Sequence, residues 1–172
     1  MLKIIRRMSE INFSELMRVY AEGNAENGKE LYRDDPETVQ IRKAEDDFFH
    51  YLNSVFFRQQ DSSYLIWAPD GHYQAALRIE PYLDGLLLCG LETAPDARRK
   101  GYATMLIVSA VRHLSESGSG ILYSHVSKKN AASLSVHRKC GFQILKDYAV
   151  YADGSVLQSS YTLSLKYEKS EI

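Results

Sequence analysis

Three Asp-Gly pairs, at 70–71, 84–85 and 153–154, each stand between two runs of extended-type residues. Asp-Gly suits a tight hairpin, because type I′ turns need positive φ at both central positions. A chain punctuated in this way is committed to antiparallel pairing at three places. The runs concerned are 63–67, 73–79, 86–92, 142–151 and 156–167. The last alternates cleanly. Leu157, Ser159, Tyr161, Leu163, Leu165 and Tyr167 lie on one side, with Gln158, Ser160, Thr162, Ser164 and Lys166 opposite, as in a half-buried strand.

Between the second and third hairpins the period changes from 2 to 3.6. Ala103, Leu106, Ile107, Ala110, Val111 and Leu114 mark one face of a helix. A strand follows at 121–126. A shorter helix over 130–139 is then stopped by Gly141 with Phe142 behind it, the pattern of a Schellman cap. At the other end, 2–7 reads as a strand. Asn12-Phe13-Ser14-Glu15 reads as a capped helix start, with Phe13, Leu16, Met17 and Tyr20 at helical spacing. Gly23-Asn24 and Asn27-Gly28 predict a loop over 21–35. Asp35-Pro36 opens a second helix, whose apolar face is Ile41, Ala44, Phe48, Leu52, Val55 and Phe56. The sum is an α/β (α+β) chain with a mixed sheet. An antiparallel meander joins a β-α-β crossover and ends in a C-terminal hairpin, flanked by helices. The 172 residues suit a single domain, 1–172.

The formal net charge of -1 argues against a chain that coats nucleic acid or an anionic membrane, so any basic site is local. No apolar run is long enough to span a bilayer, and MLKIIRRMSE has no signal-peptide core. Cys89 and Cys140 make no disulfide framework, so a cytoplasmic, reducing location is expected. In that compartment the sequon Asn12-Phe13-Ser14 is a chance match. His137 and Cys140 lie three apart, but no second ligand pair accompanies them, and no metal is expected.

The stretch RRKGYA, 98–103, lies where a strand hands over to a helix expected to open near Arg99. The first turn of a helix leaves backbone N–H groups unpaired and carries partial positive charge, which makes it an anion site. Gly101 and Ala103 keep the backbone accessible, and Arg98, Arg99 and Lys100 add full charges. Taken alone, these six residues fit a phosphate cradle and a basic surface turn equally. The chain has neither G-x-x-x-x-G-K-[ST] nor G-x-G-x-x-G, so the P-loop and dinucleotide fingerprints are absent.

Arg98-x-x-Gly101-x-Ala103 resembles the acetyl-CoA pyrophosphate motif of the GNAT N-acetyltransferase superfamily, [QR]-x-x-G-x-[GA]. The wider string LETAPDARRKGYATMLIVSAV is similar to that family's motif A. NAASLSVHRKCGF, 130–142, resembles its motif B, usually N-x-x-[AS]-x-x-[LV]-[YH]-x-x-x-G-F. Two such motifs in order, about one βα unit apart, are specific where one alone is not. The resemblance is good over 63–167 and only in outline over 1–62.

The resemblance implies transfer of an acetyl group from acetyl-CoA, as cosubstrate, to a primary amine of a small molecule or protein. Backbone N–H groups of Arg99, Lys100, Gly101, Tyr102, Ala103 and Thr104 would hold the pyrophosphate, with Arg98 at the mouth. Main chain around Leu91 and Thr93 would pair with the pantetheine arm, and Asn130 would bond that arm or cap its helix. His137 stands where the family often has tyrosine, and would protonate or hydrogen-bond the CoA sulfur. Glu92 is the base candidate, since an amine of pKa about 10.4 must lose a proton before it attacks. Glu80 is a weaker one. Tyr148, Tyr151 and Tyr161 border the acceptor site or pack the sheet. The acid-rich 22–37 segment attracts a cationic amine or is solvated surface. The alternative is a non-catalytic acyl-CoA-binding module of the same fold. The partners expected are acetyl-CoA and an amine acceptor, without nucleic acid or membrane. Self-association, as a dimer, is left open.

Overall fold

The computed structural model describes residues 1–170. Strand β1 (Leu2–Ile5) is followed by helices α1 (Phe13–Val19), α2 (Ala21–Leu31) and α3 (Glu37–Ser54). The meander is β2 (Ser63–Trp67), β3 (Ala75–Tyr82) and β4 (Gly85–Thr93). Helix α4 (Tyr102–Ser117), β5 (Gly120–Ser127) and α5 (Ala131–Lys139) form the crossover. The chain ends in β6 (Gln143–Lys146), β7 (Ala149–Val150), β8 (Val156–Leu157) and β9 (Ser160–Tyr167).

Seven strands form one sheet in the order β1-β2-β3-β4-β5-β9-β6, and β7-β8 make a separate ribbon. Only β4 and β5 run parallel; the other neighbours are antiparallel. The mixed α/β fold is the one expected. A core lies on each face of the sheet. On one, Leu16, Leu52, Phe56, Tyr64 and Ile66 are buried under α1 and α3. On the other, Leu77, Leu88, Leu106, Ile107 and Leu122 are buried under α4.

The caps follow the sequence. Asn12 Oδ1 accepts from the Glu15 N–H at 3.2 Å. At the end of α5, Phe142 N–H bonds the His137 carbonyl and Gly141 N–H bonds that of Arg138, each at 3.0 Å, which makes a Schellman cap.

Four expectations need correction. Residues 21–31 are helix α2, not loop. Gly28 is there because α2 crosses α3 closely: a Cβ on it would lie 2.7 Å from the Gln40 carbonyl oxygen. The second hairpin turns at Leu83-Asp84, one residue before Asp84-Gly85, and the positive φ (49°) falls on Leu83. Gly85 instead allows β5 to approach, since a Cβ there would meet the Ile121 oxygen at 2.3 Å. The final hairpin is broken. The β6–β9 ladder shifts register between Ile144 and Lys146, and the tip curls away as the β7–β8 ribbon. Helix α4 opens at Tyr102 and not near Arg99, because Arg99 (φ 62°) and Gly101 (φ 81°) are both left-handed.

Candidate active site

The site begins with a strand that stops pairing. β4 and β5 are in register only at Leu86–Leu122, Leu87–Tyr123 and Leu88–Ser124. Just beyond, the β3–β4 ladder shifts between Ala76 and Arg78, and Gly90 has φ 60°. A bulge of this kind bends its strand. The Tyr20 hydroxyl donates to the Gly90 carbonyl and fixes the bend. The two strands therefore diverge. A cleft of about 170 Å³ opens between 89–91 on one side and 124–127 on the other. Two lengths of main chain thus face each other too far apart to bond.

At the C-terminal end of β4, a short turn over Pro95–Ala97 leads to Arg98. The first bond of α4 runs from Met105 N–H to the Gly101 carbonyl at 3.0 Å. Among the described residues, the N–H groups of Tyr102, Ala103 and Thr104 have no protein acceptor. Nothing lies within 4 Å of the place a Cβ on Gly101 would take. Arg99 and Lys100 are exposed beside this open backbone. Arg98 is engaged: its guanidinium meets Glu22 of α2 at 2.7 Å.

Helix α5 closes the far side of the cleft. Asn130 Oδ1 accepts from the Ser133 N–H at 3.0 Å, which leaves its amide nitrogen as the available donor. His137 is 1% exposed and stacks edge-on against Phe142 at 5.1 Å. Its Nδ1 lies 2.8 Å from the Ser133 carbonyl, which only accepts, so Nδ1 carries the proton. Its Nε2 then accepts from the Ser124 hydroxyl at 3.0 Å. Burial lowers the His137 pKa, more than the bond to Ser133 raises it, and the ring is neutral at neutral pH.

A second, larger cleft of about 500 Å³ lies on the other face of the sheet, between α2, α3 and the upper part of β3 and β4. Glu26, Asp47 and Glu92 bring negative charge to it, and Tyr20, Phe48 and Tyr51 give it aromatic walls. Glu92 is half-buried, and its pKa is raised, first by that burial and then by Glu22 and Glu26, against the opposing pull of Arg98. Glu80 accepts from the Tyr51 hydroxyl at 3.3 Å. Tyr148 and Tyr151 are exposed on the broken hairpin, and Tyr161 lies under Lys128. Among the described residues no group of three His, Cys, Asp or Glu is placed to hold a metal ion. No helix among them is long and apolar enough to cross a membrane.

The model of the acetyltransferase (GNAT) family matches residues 25–142. The chain belongs to the GNAT family. The activity of that family is transfer of an acetyl group from acetyl-CoA. No curated protein matches the chain in sequence. Three solved structures show how widely its fold is shared. The ribosomal-protein-S18-alanine N-acetyltransferase of Escherichia coli is 17% identical with TM-score 0.60, over 99% of this chain and 97% of that one. A PaiA N-acetyltransferase of Thermoplasma acidophilum, solved with coenzyme A, is 15% identical with TM-score 0.62, over 97% and 99%. An N-acetyltransferase of Staphylococcus aureus Mu50 is 13% identical with TM-score 0.60, over 96% and 98%.

In this GNAT chain the sequence-named residues fall around two openings. Leu91, Asn130 and His137 line the small cleft, and Glu92 the large one. Three residues escaped the sequence reading. Ser124 partners His137. Among the described residues the buried Nε2 of His125 has no partner, and its ring meets Tyr82 at 5.3 Å and Tyr151 at 5.4 Å. Arg78 also lines the large cleft. Alternation along β3 and β5 would have put them on defined faces, but not next to these neighbours.

Proposed function

We propose that this chain acts as one catalytic domain that transfers the acetyl group of acetyl-CoA to a primary amine, in the cytoplasm. The observation that carries the reading is the parting of β4 and β5 after Leu88 and Ser124, beside the unpaired N–H groups that open α4. An extended arm with alternating donors and acceptors fits the unpaired edge of β4, at Leu91 and Thr93, as an added strand does. A pyrophosphate fits the N–H groups from Arg99 to Thr104, with Arg98 and Lys100 beside them. Asn130 offers its free amide donor to the arm.

Acetyl-CoA supplies the activated thioester. The residues supply the handling of protons. The acceptor ammonium gives up two, one to solvent through Glu92 and one to the CoA thiolate. An N–C bond forms and the C–S bond breaks. Glu92 suits its part because burial raises its pKa toward the working range of a general base. The thiolate leaves readily, since a free thiol has pKa about 8.5. His137 has both ring nitrogens engaged, and its Nε2 takes the single Ser124 hydroxyl proton, so the two side chains shape the cleft wall instead of donating to the departing sulfur.

Calorimetric titration with acetyl-CoA, with CoA and ATP as controls, tests the reading. Binding that requires the CoA portion, and turnover with an amine, is expected. Arg98→Glu should weaken that binding by roughly tenfold, the cost of about 1.4 kcal/mol from one phosphate contact made repulsive. Absence of binding at millimolar ligand overturns the reading. Binding without turnover over a broad amine panel leaves a non-catalytic binding module.

A further inference from the structure

Among the described residues, Arg78 is held by aromatic rings and by a long ion pair to Glu80, but by no hydrogen bond. It sits inside β3, directly opposite Cys89. Its guanidinium lies over the rings of Tyr51 at 5.1 Å and Phe56 at 5.8 Å. Its side chain is only 19% exposed. Among the described residues its guanidinium donates no hydrogen bond. The nearest carboxylate oxygen, on Glu80, is 3.9 Å from Nε, beyond hydrogen-bond range, and Nε itself is buried without a partner. Arg78 lines the large cleft, with Nε and one Nη packed near Gly90. The buried hydroxyl of Tyr64, directly opposite Arg78 on β2, also lacks a partner among the described residues.

A buried guanidinium with idle donors is costly, since charged and polar groups lose their hydration on burial and gain nothing in return. Such a group is explained when a ligand completes it. A guanidinium matches a carboxylate, which takes two parallel N–H bonds at once, and its aromatic flanks hold the plane still. The same cleft carries Glu92. Glu92 stands opposite Ala76, two residues along the same face of β3 from Arg78, or about 7 Å. That spacing lets one carboxylate reach Arg78 while a neighbouring ammonium reaches Glu92.

We infer that the acceptor is an amine that carries its own carboxylate, an α-amino acid in the simplest case, and that Arg78 binds that carboxylate. The inference rests on the acyl-transfer reading above. It makes Arg78 a specificity residue, set apart from the proton chemistry of Glu92.

The test uses the whole chain with acetyl-CoA and follows CoA release. The acceptors are the twenty protein amino acids, each beside its carboxamide and its decarboxylated amine, with phosphoethanolamine as a separate arm. At least one free amino acid should react with kcat/KM roughly 100-fold above its carboxamide, because the amide leaves the guanidinium unpaired. Arg78→Lys keeps the charge but loses the planar fork, and should narrow that ratio roughly tenfold through KM. The wild-type panel stands alone if the variant does not fold. Carboxamides or plain amines that react as well as the acids overturn the inference, as does failure of all twenty amino acids. Preference for phosphoethanolamine overturns the carboxylate assignment. Acetyl-CoA titration of the wild-type chain separates the two levels. Loss of that binding overturns acyl transfer itself, whereas retained binding with the wrong acceptor profile overturns only the role of Arg78.

Discussion

In the proposed mechanism Glu92 takes up a proton while it sits half-buried near two other carboxylates, Glu22 and Glu26. Its neutral form is favoured, so its pKa lies above the ordinary glutamate value of about 4.3. The sign follows directly. As pH falls through that raised pKa the base is lost, and kcat/KM falls with it. We predict an acidic limb in the pH–rate profile that lies above the usual carboxylate range. Glu92→Gln should lower kcat by about 100-fold or more and abolish the limb. A variant with wild-type kcat would remove Glu92 from the chemistry. Sequence reasoning could name Glu92, because it stands at the end of a strand whose motif is recognisable. It could not find Arg78. An arginine at an alternating strand position reads as solvent-facing, and only the packing of Tyr51 and Phe56 around it reveals the idle donors.

Among the elements, α2 was the least legible. Two Gly-Asn or Asn-Gly pairs inside eleven residues look like turns. Yet Gly28 serves a crossing, where the backbone of α3 leaves no room for a side chain. The preference of glycine for loops loses here to the close approach of two helices. Gly28→Val would force α2 off α3, at a cost of about 1–3 kcal/mol, typical of overpacking. Because α2 carries Glu26 to the large cleft and Glu22 to the neighbourhood of Glu92, the variant should raise KM for the amine more than for acetyl-CoA. Steady-state kinetics with each substrate varied in turn checks this. Equal effects on both would mean that α2 does not shape the acceptor site. By contrast, α1 and α5 were readable from their caps, and α3 from the Pro36 at its start and its apolar stripe as far as Leu52, since those signals are local.

For the whole molecule, the meander and the mixed sheet could be read from periodicity, but the turns could not: Asp70, Asp84 and Asp153 all lack the positive φ that the Asp-Gly pairs predict. Nor could the parting of β4 from β5. It depends on a register shift against β3 at Gly90, and a strand with one glycine looks the same in sequence whether or not it bulges. The gap that the fold opens therefore appears only when three strands are seen together.

The contact between Arg98 and Glu22 has a consequence for the order of events. It is a latch between the loop proposed to receive phosphates and the helix that borders the large cleft, the proposed acceptor site. Phosphates arriving at the loop compete for Arg98. If they draw it away, Glu22 is left bare beside Glu26, and the acceptor cleft becomes more negative just before the amine is due. The first guest thus prepares the table for the second. Ordered addition is the expected kinetic pattern, with acetyl-CoA first and CoA competitive against it in product inhibition. Random addition would show that the latch and the amine do not communicate.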